Sequence, residues 1–252
     1  MKKILVTGGA GYIGSVLTAN LLAKGFKVRV FDRFMFGGES LLSLVSSKNL
    51  EILEGDVRDR ERLKAAINGV DSIIHLAALV GEPACKENPQ VTKEINLEAS
   101  KNLVSLAKKE GIKHFIFTST CSNYGISKAN ENATEESELN PLSLYAETKI
   151  AAEKFILGLT SDNFHPTVLR LATIFGLSPR MRFNLMVNEA ARETAMGGKF
   201  SIYNKNAWRP FLHVQDVSNA FLTVLQSSNN KISRKIFNVV GENIQKAYLI
   251  EL

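Results

Sequence analysis

Lys3-Ile4-Leu5-Val6-Thr7-Gly8-Gly9-Ala10-Gly11-Tyr12-Ile13-Gly14 opens the chain and decides its fold. A short apolar run breaks into glycines three apart, then resumes as an apolar stretch over residues 13–23. That pattern reads as strand, tight turn and helix. Glycine is required where backbone must approach backbone closely. The helix start turns unpaired N–H groups and the positive end of its dipole toward a phosphate. Gly8, Gly11, Tyr12, Ile13 and Gly14 are therefore the expected cradle of a dinucleotide pyrophosphate.

Outward from the turn, strand and helix patterns alternate. Apolar, β-rich runs fall at residues 3–6, 27–31, 50–53, 72–76, 114–118 and 167–171, with helical patterns at 12–23, 60–67, 91–109 and 145–157. Continuous apolar strands between helices predict an α/β fold, a Rossmann-type doubly wound parallel sheet, over residues 1–172. Ligands of such sheets bind outside the carboxyl ends of the strands. Beyond residue 172 the pattern changes. A basic loop at 177–182 precedes a helix at 184–196, a short segment at 200–203, an extended run at 208–214, a helix at 216–226 and an extended run at 235–240. A last helix is expected from about Asn243, with Leu252 inside it. Residues 173–252 are thus expected to be a smaller substrate-binding part, interleaved with the last core elements and incomplete at its C-terminal end.

The 252 residues suffice for a substantial core, and 45% hydrophobic with 22% charged content is ordinary for a globular chain. The net charge of +6 comes from scattered lysines and arginines rather than a basic block with interleaved aromatics, which argues against a nucleic-acid partner. Cys85 and Cys121 are too few and too far apart for a disulfide framework or a zinc site, and no metal is expected. The apolar stretches fall short of the ~20 residues of a membrane span, and no signal peptide is apparent. A cytoplasmic protein without membrane attachment is expected.

Three positions point to chemistry. Asp32 ends the second strand, 18 residues after Gly14, where a carboxylate accepts from both ribose hydroxyls and repels a 2′-phosphate. This favours NAD over NADP, a preference that adjacent Arg33 weakens. Tyr145 and Lys149 share one helix face. An ammonium beside a phenol is expected to lower the phenol's pKa from ~10, which would let the tyrosine take a proton from an alcohol while hydride leaves. Thr120, past the fifth strand, offers a hydroxyl to the reacting oxygen.

With these residues the chain resembles the extended short-chain dehydrogenase/reductases, in particular the NAD-dependent epimerase/dehydratase branch acting on nucleotide sugars. The resemblance spans nearly the whole chain. The family's Thr-Gly-x-x-Gly-x-x-Gly turn corresponds to Thr7, Gly8, Gly11 and Gly14. Asp56-Val57 is similar to its adenine-contacting pair. His75-Leu76-Ala77-Ala78 is similar to its fourth-strand motif, and Asn96 to its helix asparagine. Ser119-Thr120-Cys121-Ser122-Asn123-Tyr124-Gly125 resembles the segment that precedes the Tyr-x-x-x-Lys of Tyr145 and Lys149. The resemblance implies cofactor contacts from Arg33, Asp56, Val57, Leu76, Ala77, Ala78, Asn96 and Ser119 as well as the cradle. It implies substrate contacts from Thr120, Cys121, Ser122, Thr173, Arg182, Asn184 and Arg209. Thr173 and Phe175 stand where the family has Asn and Tyr. Arg209, from the segment 209–216, is the expected ligand of the nucleotide diphosphate, a group that suits a forked guanidinium. For His213 and Asp216 a helix cap and packing are expected instead.

Nucleotide-sugar 4,6-dehydratases carry Asp-Glu after this threonine. Here the positions hold Cys121 and Ser122, so dehydration lacks its acid and base. The resemblance then implies a nucleotide-sugar epimerase that oxidises C4 to a ketone and returns the hydride to the other face. The alternative is a C4 dehydrogenase or reductase of a surface-polysaccharide or heptose pathway, which segments 77–85 and 176–184 resemble. Cys121 is either an extra acid or base, or a small buried residue. Arg180 and Arg182 are further phosphate or substrate contacts, or a basic surface loop. A non-catalytic NAD-sensing or RNA-binding member of the fold would be expected to lack Tyr145 or Lys149, and both are present. A homodimer through the helices at 91–109 and 145–157 is implied by relatives.

Overall fold

The computed structural model describes residues 2–126 and 132–250. The chain runs β1 (Lys3–Thr7), α1 (Tyr12–Ala23), β2 (Lys27–Asp32), β3 (Leu50–Glu54), α2 (Arg60–Ile67) and β4 (Ser72–His75). There follow α3 (Glu82–Glu87), α4 (Pro89–Lys93), α5 (Ser100–Lys109), β5 (His114–Thr120), α6 (Leu144–Gly158) and β6 (His165–Leu171). The last part holds β7 (Thr173–Phe175), α7 (Met186–Ala195), β8 (Trp208–His213), α8 (Val214–Gln226), α9 (Asn229–Ile232), β9 (Lys235–Val239) and β10 (Glu242–Gln245).

Seven parallel strands form the central sheet in the order β3-β2-β1-β4-β5-β6-β9, the doubly wound architecture that the alternation predicts. Its inner strands β1, β4, β5 and β6 are buried along almost their whole length because both faces are covered, whereas the edge strand β3 is largely exposed. Ile4, Val6, Val28, Val30, Ile74 and Leu169 pack beneath Leu17 and Leu21 of α1 and Val217 and Phe221 of α8. On the opposite face Leu5, Phe31, Ile73, Phe115, Phe117 and Val168 meet Leu63 of α2, Leu103 of α5 and Ile156 of α6. Asp59 caps α2 by accepting the N–H groups of Glu61 and Arg62, worth about 1 kcal/mol.

α1 and α2 have the expected bounds, and the strands differ from expectation by a few residues at their ends. The expected helix at 91–109 starts at Pro89 and contains a π-helical stretch, Glu94–Ala99, between α4 and α5. The helix expected from Asn243 does not form there. Glu242–Gln245 is instead a strand, antiparallel to β8 with Glu242 opposite Phe211 and Gln245 opposite Trp208. Pairing with the open edge of β8 satisfies a row of backbone groups and overrides local helix preference. β10, β8 and β7 make a separate three-stranded sheet. Residues 251–252, where that expectation ended, lie outside the described residues. Among the described residues no helix is long and apolar enough to cross a membrane.

The chain leaves β1 and β4, neighbours in the sheet, in opposite directions. The crevice at their carboxyl ends receives the glycine turn, the loop after β4 and the end of β5.

Candidate active site

The glycine turn is locked from several sides. Gly8 takes a positive φ of 74°, and a Cβ there would lie 2.8 Å from Ala77 N. A Cβ on Gly14 would collide with the carbonyl oxygen of Gly8. Asp32 accepts the N–H of Ala10 at 2.9 Å with one carboxylate oxygen and that of Phe34 at 2.9 Å with the other. Its orientation at the end of β2 is thereby set, with lone pairs left on both oxygens. Tyr12 and Gly14 are buried and Ile13 is half-buried. A turn without room for side chains, a helix start and a fixed carboxylate fit a diphosphate joined to a ribose diol.

The loop after β4 is held from below. Thr7 Oγ1 lies 2.7 Å from His75 Nδ1, and His75 Nε2 lies 3.0 Å from Ser100 Oγ. Burial pushes the His75 pKa down to about 3, so the ring is a neutral strut at working pH. Thr7 Oγ1 also accepts the Ala77 N–H at 3.3 Å, which places half-buried Leu76, Ala77 and Ala78 against the turn. Asn96, in the π-helical stretch, has no exposed surface. Its Oδ1 accepts the Leu79 N–H at 2.8 Å and its Nδ2 donates to the Leu79 carbonyl at 2.9 Å. Asn96 thus positions the loop. Beside buried Val57, the Asp56 carboxylate receives Arg58 through Nε and Nη2, at 3.0 and 2.7 Å, and stands 3.5 Å from Arg33. These cations hold its pKa below the usual range.

β5 continues to Thr120, in register with Leu171 of β6. Thr120 Oγ1 accepts the Ser122 N–H at 3.1 Å, leaving its O–H to donate. Ser143 caps α6 through the Ala146 N–H, which puts Tyr145 in the first turn and Lys149 one turn on. Lys149 is 2% exposed. Its Nζ donates to the Thr118 carbonyl at 2.8 Å and stands 6.0 Å from the centroid of the Tyr145 ring.

The expected acidification of Tyr145 by Lys149 is not found. Burial pushes the phenol up to about 12, Cys85 adds to the rise, and Arg182 is the group that opposes it. Lys149 is itself pushed down to about 8 by burial. Desolvation is the largest influence on the phenol, and the Lys149 ammonium, turned to the Thr118 carbonyl, is not among the groups that lower it. Burial also pushes the Cys121 thiol up to about 11. The thiol donates to the Arg170 carbonyl at 3.4 Å, which favours the bland alternative of a small packing residue. Ser122 is exposed and Ser119 accepts from Asn123 Nδ2 at 3.2 Å.

Beneath Thr120 lies a network that the sequence reading missed. Arg170 and Glu153, each 3% exposed at the side chain, pair at 2.7 Å. Glu153 Oε1 accepts from Asn123 at 2.8 Å, and Arg170 Nη1 donates to the Tyr124 hydroxyl at 2.8 Å. The network fixes the short turn Cys121–Tyr124 that carries the N–H on Thr120. A signal was present: Glu153 follows Tyr145 and Lys149 at the same four-residue spacing.

Toward the C-terminal part, the segment after β7 closes on α1. Tyr12 donates its hydroxyl to the Gly176 carbonyl at 2.6 Å, and Asn188 Nδ2 donates to the Tyr12 oxygen and the Arg182 carbonyl, both at 3.1 Å. Asn188 was also missed, because nothing local marks a helix asparagine as an anchor. Arg182 is half-buried, and its charge acts on both Tyr12 and Tyr145. Thr173 is half-buried opposite Phe211 in β8. Asn184 and Arg209 are exposed. Burial pushes the Lys246 pKa down, and nearby Arg209 adds to the fall. Lys246 lines a cavity of about 450 Å³ with Met186, Glu189, Lys199, Phe200 and Tyr203. His213 caps α8 through the Gln215 N–H at 3.3 Å, and Asp216 sits in that helix's first turn.

Residues 4–240 match the family model described as the NAD dependent epimerase/dehydratase family. A 3 beta-hydroxysteroid dehydrogenase/Delta 5→4-isomerase of Mycobacterium tuberculosis is 32% identical, over 73% of this chain and 50% of its own length. The UDP-glucose 4-epimerase of Bacillus subtilis is 28% identical, over 94% of this chain and 76% of its own. The structure of the Thermus thermophilus UDP-glucose 4-epimerase complexed with NAD superposes with a TM-score of 0.85 at 26% identity, over 99% of this chain and 81% of that one. The chain spans about half the length of the steroid dehydrogenases it matches.

Proposed function

Because this chain belongs to the NAD-dependent epimerase/dehydratase family, we propose that it epimerises a nucleotide-diphosphate sugar by transient oxidation at C4. The observation that carries this reading is the make-up of the end of β5. Thr120, Tyr145 and Lys149 are in place, while residues 121 and 122 offer a high-pKa thiol and a hydroxyl instead of an acid and base. An oxidation and re-reduction of a carbinol needs the first three groups alone. NAD is the cofactor, and when bound it supplies the hydride acceptor and a positively charged ring.

Tyr145 holds and moves the proton at its Oη. Its high pKa keeps the phenol protonated, and only added positive charge brings phenolate within reach. Arg182 contributes to that charge from the substrate side. Lys149, held on the Thr118 carbonyl, keeps the end of β5 and the first turns of α6 together. Thr120 donates to the substrate oxygen while the Ser122 N–H fixes its rotamer. Lys246 is pushed down by burial and then by the Arg209 charge, so a substrate diphosphate placed here would offset the repulsion between the two cations. A homodimer packed through the helical residues 91–109 and 145–157 accompanies this reading.

A second reading, a dehydrogenase that releases the ketone, is favoured by the similarity to steroid dehydrogenases. Purified protein incubated with NAD and a panel of UDP-, GDP- and dTDP-sugars and 3β-hydroxysteroids separates the two. The expected result is a sugar isomer without net NADH. Stoichiometric NADH with any donor favours the dehydrogenase, and no product with any of them overturns the enzymatic reading. Tyr145→Phe should lower turnover by roughly 10²–10⁴-fold, read against NADH binding that stays intact.

A further inference from the structure

The loop after β2 is an arch with both feet on one residue. Asp32 accepts the Ala10 N–H, and at the other end Ser40 Oγ donates to the Ala10 carbonyl at 2.8 Å. Phe36, at the crest, is 67% exposed. From the opposite side the segment 176–182 crosses toward it. Buried Ser178 donates to the Tyr12 carbonyl at 2.7 Å, lies 3.1 Å from Ser15 Oγ, and accepts the Arg180 N–H at 3.2 Å. Two residues on from Ser178, the Arg180 guanidinium is held by the Met181 carbonyl at 2.9 Å and stacks 3.9 Å from the centroid of the Phe36 ring. The contacts form a closed circuit: Ala10 to the arch, Phe36 to Arg180, Ser178 to the first turn of α1, and back to the glycine turn.

We propose that segment 176–182 is a strap across the cofactor cleft, and that the Arg180–Phe36 stack is its latch, retaining the dinucleotide through repeated catalytic cycles. Three features support it. The circuit starts on Ala10 of the glycine turn and ends on Tyr12 and Ser15 in the first turn of α1, the expected diphosphate cradle. Its fixed parts are buried or doubly hydrogen-bonded, so the stack is the one link made by two side chains without a hydrogen bond between them. The latch also ties the loop after β2 to the C-terminal part, opposite the hydrogen bonds of Tyr12 and Ser178 that anchor the strap's other end. The inference rests on NAD as cofactor and not on the identity of the substrate.

The test is release of NADH, followed by stopped-flow fluorescence with excess NAD as chase, for wild type, Arg180→Ala, Phe36→Ala and the double variant. A cation–π contact at a partly exposed site corresponds to roughly 3- to 10-fold in rate. Each single variant should speed release by about that factor, and the double variant by no more than the faster single. Faster release with Arg180→Ala but not with Phe36→Ala overturns the latch, since Arg180 then acts alone on the cofactor. Additive effects, or unchanged release in both single variants, overturn it too. A wild type that takes up no NADH overturns the cofactor assignment and the strap together.

Discussion

The two halves of the crevice are built on opposite electrostatic terms. In the cofactor half, Thr7, His75, Ser100 and Asn96 spend their polar atoms on one another or on a neighbouring backbone, and Arg170 is paired with Glu153. In the C-terminal part, Arg182, Arg209 and Lys246 have no carboxylate partner among the described residues. The first arrangement suits a ligand that is always the same, since every strut can be preset. The second leaves three cations that an anion would compensate, which is the reason to test Arg209 against the proposed substrate.

The largest way to break this contrast is to make the cofactor half resemble the other. Glu153→Ala leaves the Arg170 cation buried without its carboxylate, and should cost about 3–5 kcal/mol in urea unfolding. A loss under about 1 kcal/mol would mean that the network does not support the site. Lys149 is the exception within that half, a charge kept buried with only a carbonyl as partner. Its folded pKa of about 8 lies below its ordinary 10.5, so above about 8 the unfolded chain binds more protons and stability rises with pH up to about 10.5. At pH 7 the charged form is therefore a burden. Lys149→Met should gain about 1–2 kcal/mol there, after the lost hydrogen bond is offset, while abolishing turnover. It should also remove the rise between about pH 8 and 10.5. The smallest effect on folding is expected from Arg209→Ala, within about 0.5 kcal/mol of wild type. Its KM for a nucleotide sugar should nonetheless rise roughly 10- to 100-fold, the loss of a charge-assisted contact. An unchanged KM would remove Arg209 from the substrate site.

Much of the scaffold was legible because its signals are local. The glycine turn, α1 and α2 follow from spacing within about a dozen residues, and the buried strands from unbroken apolar runs. Thr120, Tyr145 and Lys149 could be singled out for the same reason, through a strand end and one helix face. What escaped depends on partners far away in the chain. Glu242–Gln245 is a strand because β8 has an open edge, and the π-helical turn brings Asn96 onto Leu79. Ser178 and Asn188 are anchors only because Tyr12 lies opposite, 166 and 176 positions away.

The sequence by itself determined the sheet, the glycine turn and the candidate reacting groups, since periodicity and glycine placement are properties of short segments. Only the tertiary structure decided how those groups are charged. Tyr145 at about 12, Lys149 at about 8 and His75 at about 3 all depart from their ordinary values in the direction that burial dictates. Burial is the sum of what distant segments lay over a residue, so no spacing along the chain could announce it.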